Sequence, residues 1–404
     1  MTHYFIRSIG QRVQSWFTQV KNTEIDQALV ELPDTIQTQL ILKIQALPSP
    51  KAYQTNVQEA IANAINTWQQ NLDAPNNLVV LANPVEAIAK ILGDSLKNWQ
   101  DTPVQVITPL TCLNRPCNPL KITQQIQQAL TPYQQVDTTN SRNTDDQLNV
   151  ESLEQRTTLI VIPCLEQCFL RCIGGWDGIE YLRDVAIHNR NCFWIMGCNQ
   201  WAWDFLDFVC QISSYFSEVE ALPAIDGAML QVWLDPIAKT VLDTSDLENS
   251  DGDRTNEERH KSYWDSLASQ SSGVSSIAAN LWLESLRVSQ ADMEDNEPNQ
   301  PTLTKTGSEK PITLHETNPS LPNLPPLTAI DRYLLHSVLI HGQITRAHLA
   351  LSLGESESHI QAHIQRLLRA GLLERGNGAL SVRASHYTRL KNELANNNFF
   401  VGKN

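Results

Sequence analysis

No run of about 18 apolar residues occurs anywhere in the 404-residue sequence, so no helix able to span a bilayer is expected. Residues 1–30 lack both an uninterrupted apolar core and a small-residue cleavage site, and no secretory signal is evident. Cysteine is absent outside Cys112–Cys210, and the eight that lie there are irregularly spaced. That usage fits a reduced, cytoplasmic α/β chain rather than a disulfide framework. Positive charge is scarce as well. A net charge of −14 argues against a chain that binds nucleic acid over its whole length. The shortage is uneven. Leu327–Asn404 carries nine Lys/Arg against five Asp/Glu and six of the ten histidines, so a tail of +4 follows a body of −18. Two parts with different partners are expected.

The pattern then divides the chain. In "YFIRSIGQRVQSWFTQV", Phe5, Ile9, Val13, Trp16 and Val20 share one helical face, and the only charges are Arg7, Arg12 and Lys21. Such a basic amphipathic helix can lie on an anionic membrane surface or pack as an ordinary helix. Two further helical patterns complete an N-terminal region over 1–75. From 76 to 242, short apolar strands alternate with helices: "NLVVLA", "VQVITPL", "TLIVIP" and "CFWIMGC" are the strands. That alternation predicts an α/β fold, a three-layer doubly wound parallel sheet. Residues 243–262 and 291–326 are polar, acidic and rich in Pro, Ser and Asn, and are expected to be disordered. Between them, 263–290 reads as two helices hinged near Gly273. After Pro326 come three short helical patterns and "LLERGNGALSV", two strands around a tight turn, which predicts a winged helix-turn-helix over 327–404.

Chemistry is harder to find. A phosphate-cradling loop needs glycines, a lysine and a Ser/Thr for metal. The stretch after the first strand, "LANPVEAIAKIL", has no glycine; Pro84 removes a donor and Ile91 follows Lys90. The strand "TLIVIP" should end in a metal-binding carboxylate, yet Pro163 and Cys164 stand there, with Glu166 beyond. Cys164, Cys168 and Cys172 would share a helical face, and read better as buried thiols than as zinc ligands. Neither a Ser-His-Asp nor a Cys-His arrangement is suggested.

The order of segments resembles the P-loop ATPases of the AAA+/STAND type. The matching residues are "TLIVIPCLEQCFLRCIGGWDGIEYL", the strand "CFWIMGCN" with Asn199 near that family's sensor position, and "SGVSSIAANLWLESLR", which is similar to its lid helices. The resemblance implies a P-loop NTPase-like fold with a helical lid. With the phosphate loop unrecognisable, Pro163, Cys164, Glu166 and Asn199 become vestigial nucleotide-site positions. No enzyme activity, no cofactor and no bound metal are expected.

In the tail, a third helix beginning at "ESESHIQAHIQRLLRAG" would turn Ile360, Ile364 and Leu367 inward. His359, His363, Gln365, Arg366 and Arg369 would face out. Arg and Gln can read base edges, and Arg383, Arg389 and Lys391 could contact a DNA backbone from the wing side. Glu355 and Glu357 at the leading end oppose phosphate. The chain is therefore expected to act as a regulatory or scaffolding protein, with a protein partner such as an active ATPase paralogue. The alternative is a transcriptional regulator that binds duplex DNA through its tail.

Overall fold

The computed structural model describes residues 29–97, 99, 105–111, 115–134, 156–241, 254–290 and 314–402. The basic helix expected over residues 5–20 lies outside them. In chain order the elements are β1 (Leu29–Glu31), α1 (Asp34–Ala46), α2 (Lys51–Gln70), β2 (Asn77–Ala82), α3 (Ile88–Lys97), β3 (Gln105–Ile107), α4 (Leu120–Leu130) and β4 (Thr158–Ile162). They continue with α5 (Asp177–His188), β5 (Cys192–Asn199), α6 (Gln200–Cys210), β6 (Val219–Ala221), α7 (Gly227–Val241), α8 (Arg254–Ser271), α9 (Ser275–Ser285), β7 (Leu286–Ser289) and β8 (Leu314–Glu316). The tail adds α10 (Ala329–His341), β9 (Ile344–Thr345), α11 (Arg346–Leu353), α12 (Glu357–Arg369), β10 (Leu373–Gly376), β11 (Ala379–Val382) and α13 (Tyr387–Asn396). None of the described helices is long and apolar enough to cross a membrane.

Two compact units emerge. The larger takes in Pro48–Ile225, Ser271–Ile277 and Leu321–Asn404. Its centre is a five-stranded parallel sheet in the order β3-β4-β5-β2-β6. All eight residues of β5 are buried, and β2 is nearly so, as a sheet covered on both faces requires. One cover is α2, which buries Tyr53, Val57, Ile61, Ile65 and Trp68 at helical spacing. Each such side chain contributes about 1.5–3 kcal/mol by leaving water. Trp68 packs on Phe193 at 5.4 Å and donates its Nε1–H to the Arg190 carbonyl.

The strand order also places the functional ends. From β2 the chain runs to the far edge, β3, and returns through β4 and β5. It then crosses to β6 on the other flank of β2. Such a reversal leaves a crevice at the C-terminal ends of the strands, where ligands of doubly wound sheets collect. Gly197, inside β5, is required by this packing. A Cβ there would lie 2.4 Å from the Pro163 carbonyl and 2.7 Å from Leu92 Cδ1.

In the same unit, α10 is opened by a capping box: Thr328 and Asp331 bond each other's backbone N–H. Thr345 and Ser356 cap α11 and α12. β10 and β11 form an antiparallel hairpin, with β9 completing a three-stranded sheet. Its turn uses Asn377 and Gly378, both at positive φ, the geometry of a two-residue type I′ turn.

The smaller unit, among described residues, comprises 29–47, 226–241, 254–270, 278–290 and 314–320. It holds an antiparallel sheet β1-β7-β8, with Trp282 donating to Glu316 at 3.0 Å. Here two boundaries differ from expectation. Helix α8 starts at Arg254, inside the stretch expected to be unstructured up to 262. That stretch is rich in Glu, Arg and Lys, which are good helix formers. β8 likewise falls inside the segment expected to be a linker. Its Leu314 is buried against β7, a single anchor that composition hides.

Candidate functional site

Pro163, Cys164, Glu166 and Asn199 come together where β4 and β5 end. After Ile162 the chain does not enter the helix that would align Cys164, Cys168 and Cys172. It makes a short 3-10 turn over Leu165–Gln167 instead. The helical cysteine stripe is therefore not formed, because Pro163 and the tight path to Gly175 break it. A Cβ on Gly175 would lie 2.1 Å from the Leu170 carbonyl. The turn buries the Glu166 side chain. Its Oε2 accepts the backbone N–H of Asn199 at 3.2 Å. Burial raises its pKa to about 7, against the pull of the Asn199 N–H, Arg115 and the Cys164 thiol. Both ends of the Asn199 amide are engaged. Its Oδ1 caps α6 by accepting from Ala202 N at 2.8 Å, and its Nδ2 donates to the Ile340 carbonyl at 3.1 Å.

Ile340 belongs to α10, so the strand ends are covered by the tail. Gly342, at φ +63°, turns directly beside Glu166 and Asn199. Arg115 ties the two parts. Its Nε donates to the Phe169 carbonyl at 2.9 Å, and its terminal nitrogens donate to the carbonyls of Gln343 at 2.6 Å, His341 at 3.2 Å and Glu166. Gln167 adds a bond to the His341 carbonyl at 2.9 Å. The His341 ring is fixed by its neighbours. Its Nε2 accepts the Arg171 N–H at 3.1 Å and its Nδ1 faces the Ser337 carbonyl at 2.7 Å. Only a neutral imidazole with the proton on Nδ1 satisfies both. Burial, with Arg115 and Arg171 close by, holds its pKa well below the ordinary value. Nearby, Trp201 Nε1 donates to Tyr387 Oη at 3.1 Å, and His348 Nε2 meets the Pro116 carbonyl at 2.9 Å.

A second feature lies at the ends of β2 and β6. A cavity of about 670 Å³ is lined by Tyr53, Asn83, Glu86, Gln200, Tyr387 and Lys391, among others. The Glu86 carboxylate accepts from Tyr53 Oη at 3.1 Å, Ser275 Oγ at 2.8 Å and Ser276 N at 3.2 Å. Burial raises its pKa. Burial likewise lowers that of Lys391.

No protein-family model matches the chain, and no curated protein matches it. Solved structures do. A RuvB variant from Thermotoga maritima is 15% identical over 83% of this chain and 94% of its own, with a TM-score of 0.33. The Walker-type ATPase of Pyrococcus abyssi is 9% identical over 86% and 97%, with a TM-score of 0.33. The ORC2 protein of Aeropyrum pernix, solved in ADPNP and ADP complexes, is 13% identical over 87% and 95%, with a TM-score of 0.34. What the structure itself shows is a five-stranded parallel sheet covered by helices, the α/β class expected. One expectation is corrected by these likenesses: that the chain is no enzyme. The solved structures it resembles include a Walker-type ATPase.

On this fold the candidate contact residues of the tail scatter. Asp331, fully buried, accepts from His363 Nδ1 at 2.8 Å and pairs with Arg366. His359 faces Glu355 at 2.7 Å. Arg389 donates to Asn323 at 2.6 Å. Arg369 is exposed, and Gln365 and Arg383 are half-buried. Lys391 lies in the cavity lining rather than beside the hairpin, because it projects from α13 and not from the strands. Sequence reasoning does not mark Arg115, His341, Tyr53, Glu86 or Ser275. Arg115 sits in a loop without periodicity, and nothing local signals its four distant carbonyl partners.

Proposed function

We propose that the chain is a regulatory or scaffolding protein of AAA+-like build that works through protein contacts of its core and of a winged-helix tail. The winged-helix reading is supported by three capped helices followed by the Asn377–Gly378 hairpin. The observation that carries the preference for protein over DNA is the internal pairing of the tail's charges. His363 and Arg366 are held by the buried Asp331, Arg346 by Glu357, and His359 sits against Glu355. A helix that reads a groove must offer its cations to phosphate and base edges. A partner of the same build, catalytically active, suits this reading. We take the glycine-free loop after β2 as a phosphate loop that has lost its binding residues.

The test has two arms on the full chain. A random-sequence duplex is titrated at low and high salt. Partner capture is then compared between wild type and a chain carrying Glu355→Lys, just before α12, and Arg369→Glu, at its end, both exposed. The proposal expects weak duplex binding and a specific partner lost in the variant. Tight, salt-sensitive duplex binding that the variant abolishes would overturn it in favour of a DNA-binding regulator.

A further inference from the structure

The cavity at the ends of β2 and β6 has a chemistry of its own. A polyphosphate is held by free backbone N–H groups, a glycine-rich turn and cations. The loop here has no glycine, and several of its N–H groups are already taken. Val85 N donates to Asn83 Oδ1 at 3.2 Å, Glu86 N to the Asn83 carbonyl at 2.9 Å, and Ile88 N to the Glu86 carbonyl at 3.1 Å. Pro84 has no N–H. Lys90 lies close enough to Asp94 to help hold that carboxyl down. The start of α9, whose N–H groups favour an anion, is already served by Glu86 through Ser275 and Ser276. The nucleotide that this fold class carries therefore does not fit the residues present.

What the cavity does offer is a carboxylate. Glu86 is pinned from one side by Tyr53 and Ser275, and both residues line the same space or adjoin it. Its Oε2 accepts from Ser275 Oγ at 3.0 Å, and a carboxylate oxygen has room for two donors. Around it the walls are mixed: Leu81, Ala221, Leu222 and Pro223 are apolar, while Asn83 and Gln200 supply amides. A size of about 670 Å³ suits a small organic molecule. A cation is the ligand that an anchored, partly desolvated carboxylate selects, and guanidinium or ammonium donors make the strongest bonds to it.

We propose that this cavity binds a small organic cation, an amine or guanidinium compound, whose charged nitrogen is recognised by Glu86. Lys391, on the α13 wall, directs the charged end of the ligand towards Glu86 by repulsion. This site goes beyond the proposed partner function and does not depend on what the tail binds.

The test is calorimetric titration of the full-length protein with agmatine, and separately with ATP in the presence and absence of Mg²⁺. Agmatine is expected to saturate one site and to bind at least about tenfold more tightly than ATP. Glu86→Gln, which keeps an acceptor for Ser276 N, should weaken agmatine by about tenfold or more. Lys391→Met removes a like charge from the cavity wall and should tighten agmatine binding. The proposal is overturned if agmatine fails to saturate by about 10 mM, or if Glu86→Gln binds it as well as wild type. It is equally overturned if ATP displaces agmatine and Lys391→Met weakens ATP, since the cavity would then be an anion site.

Discussion

The guanidinium of Arg115 lies 2.6 Å from the carbonyl oxygen of Gln343, 228 residues further along the chain. With the carbonyls of Glu166, Phe169 and His341 it forms a set of bonds that joins the ends of the parallel sheet to the tail. The positions that the sequence marks as a lost nucleotide site, Glu166 and Asn199, are spent on the same junction.

Removing Arg115 should therefore do more than delete one surface cation. Arg115→Ala would take the guanidinium donor from the buried carbonyls of Glu166 and Phe169, while that of His341 keeps Gln167. The expected loss is about 3 kcal/mol or more in urea unfolding. Arg115→Lys should recover only part of this, because an ammonium cannot fork to carbonyls on two sides. Equal stability of the lysine variant and wild type would contradict the role assigned to the guanidinium geometry.

Acid should weaken the structure through histidines, with Glu166 acting in the opposite sense. His336 is held down to about 4, and His341 and His348 are also lowered, in each case chiefly by burial. The unfolded chain takes up these protons below the usual histidine value near 6.5, and the folded chain does not. Stability from the three rings is thus present at neutral pH and lost as pH falls from about 6.5 towards 4. Glu166, raised to about 7, takes up its proton earlier when folded. It adds stability as pH falls from 7 towards its unfolded value near 4.5. His386, lowered to about 4, acts with these rings, and Glu86 and Glu316, also raised by burial, act with Glu166. Relative to wild type, Glu166→Gln should therefore lose denaturant midpoint as pH falls below 7, and His341→Gln should gain it. The opposite order would contradict these assignments.

Two glycines make a matched pair. Gly197→Ala places a Cβ 2.4 Å from the Pro163 carbonyl, a backbone atom that cannot swing away. The expected loss is about 1–3 kcal/mol. Gly93, within α3, is open: a Cβ added there would meet nothing within 4 Å. Gly93→Ala should stabilise by about 0.5–1 kcal/mol through helix propensity. Thermal unfolding of both variants reads the contrast. Similar effects in the same direction would show that β5 tolerates a wider approach to β4 than its register implies.

Asp331 serves the cap of α10 and two side chains of α12, His363 and Arg366. Asp331→Asn should cost about 1–3 kcal/mol and release Arg366 and His363 to solvent. If the tail meets proteins, duplex affinity should hardly change. A large, salt-sensitive gain would show that the pairing conceals a DNA-reading face.

Much of the fold is legible because periodicity is local. The alternation of "NLVVLA", "TLIVIP" and "CFWIMGC" with amphipathic helices gives a buried parallel sheet, and the Asn377–Gly378 turn gives a hairpin. Glu166 and Asn199 can be named from the sequence since they follow strand ends. Their partners cannot. Arg115 and His341 meet only through tertiary packing, and no spacing rule links residues that far apart. Lys391 departs from expectation for a similar reason: its helix follows the hairpin in sequence, but its side chain lines the cavity at the ends of β2 and β6.

The most direct test of the junction is amide hydrogen exchange on wild type and Arg115→Ala. The structure requires that residues 165–171 and 336–343 lose protection together in the variant, while β2 and β5 keep theirs. Unchanged protection in both segments would contradict the claim that Arg115 holds the tail on the strand ends.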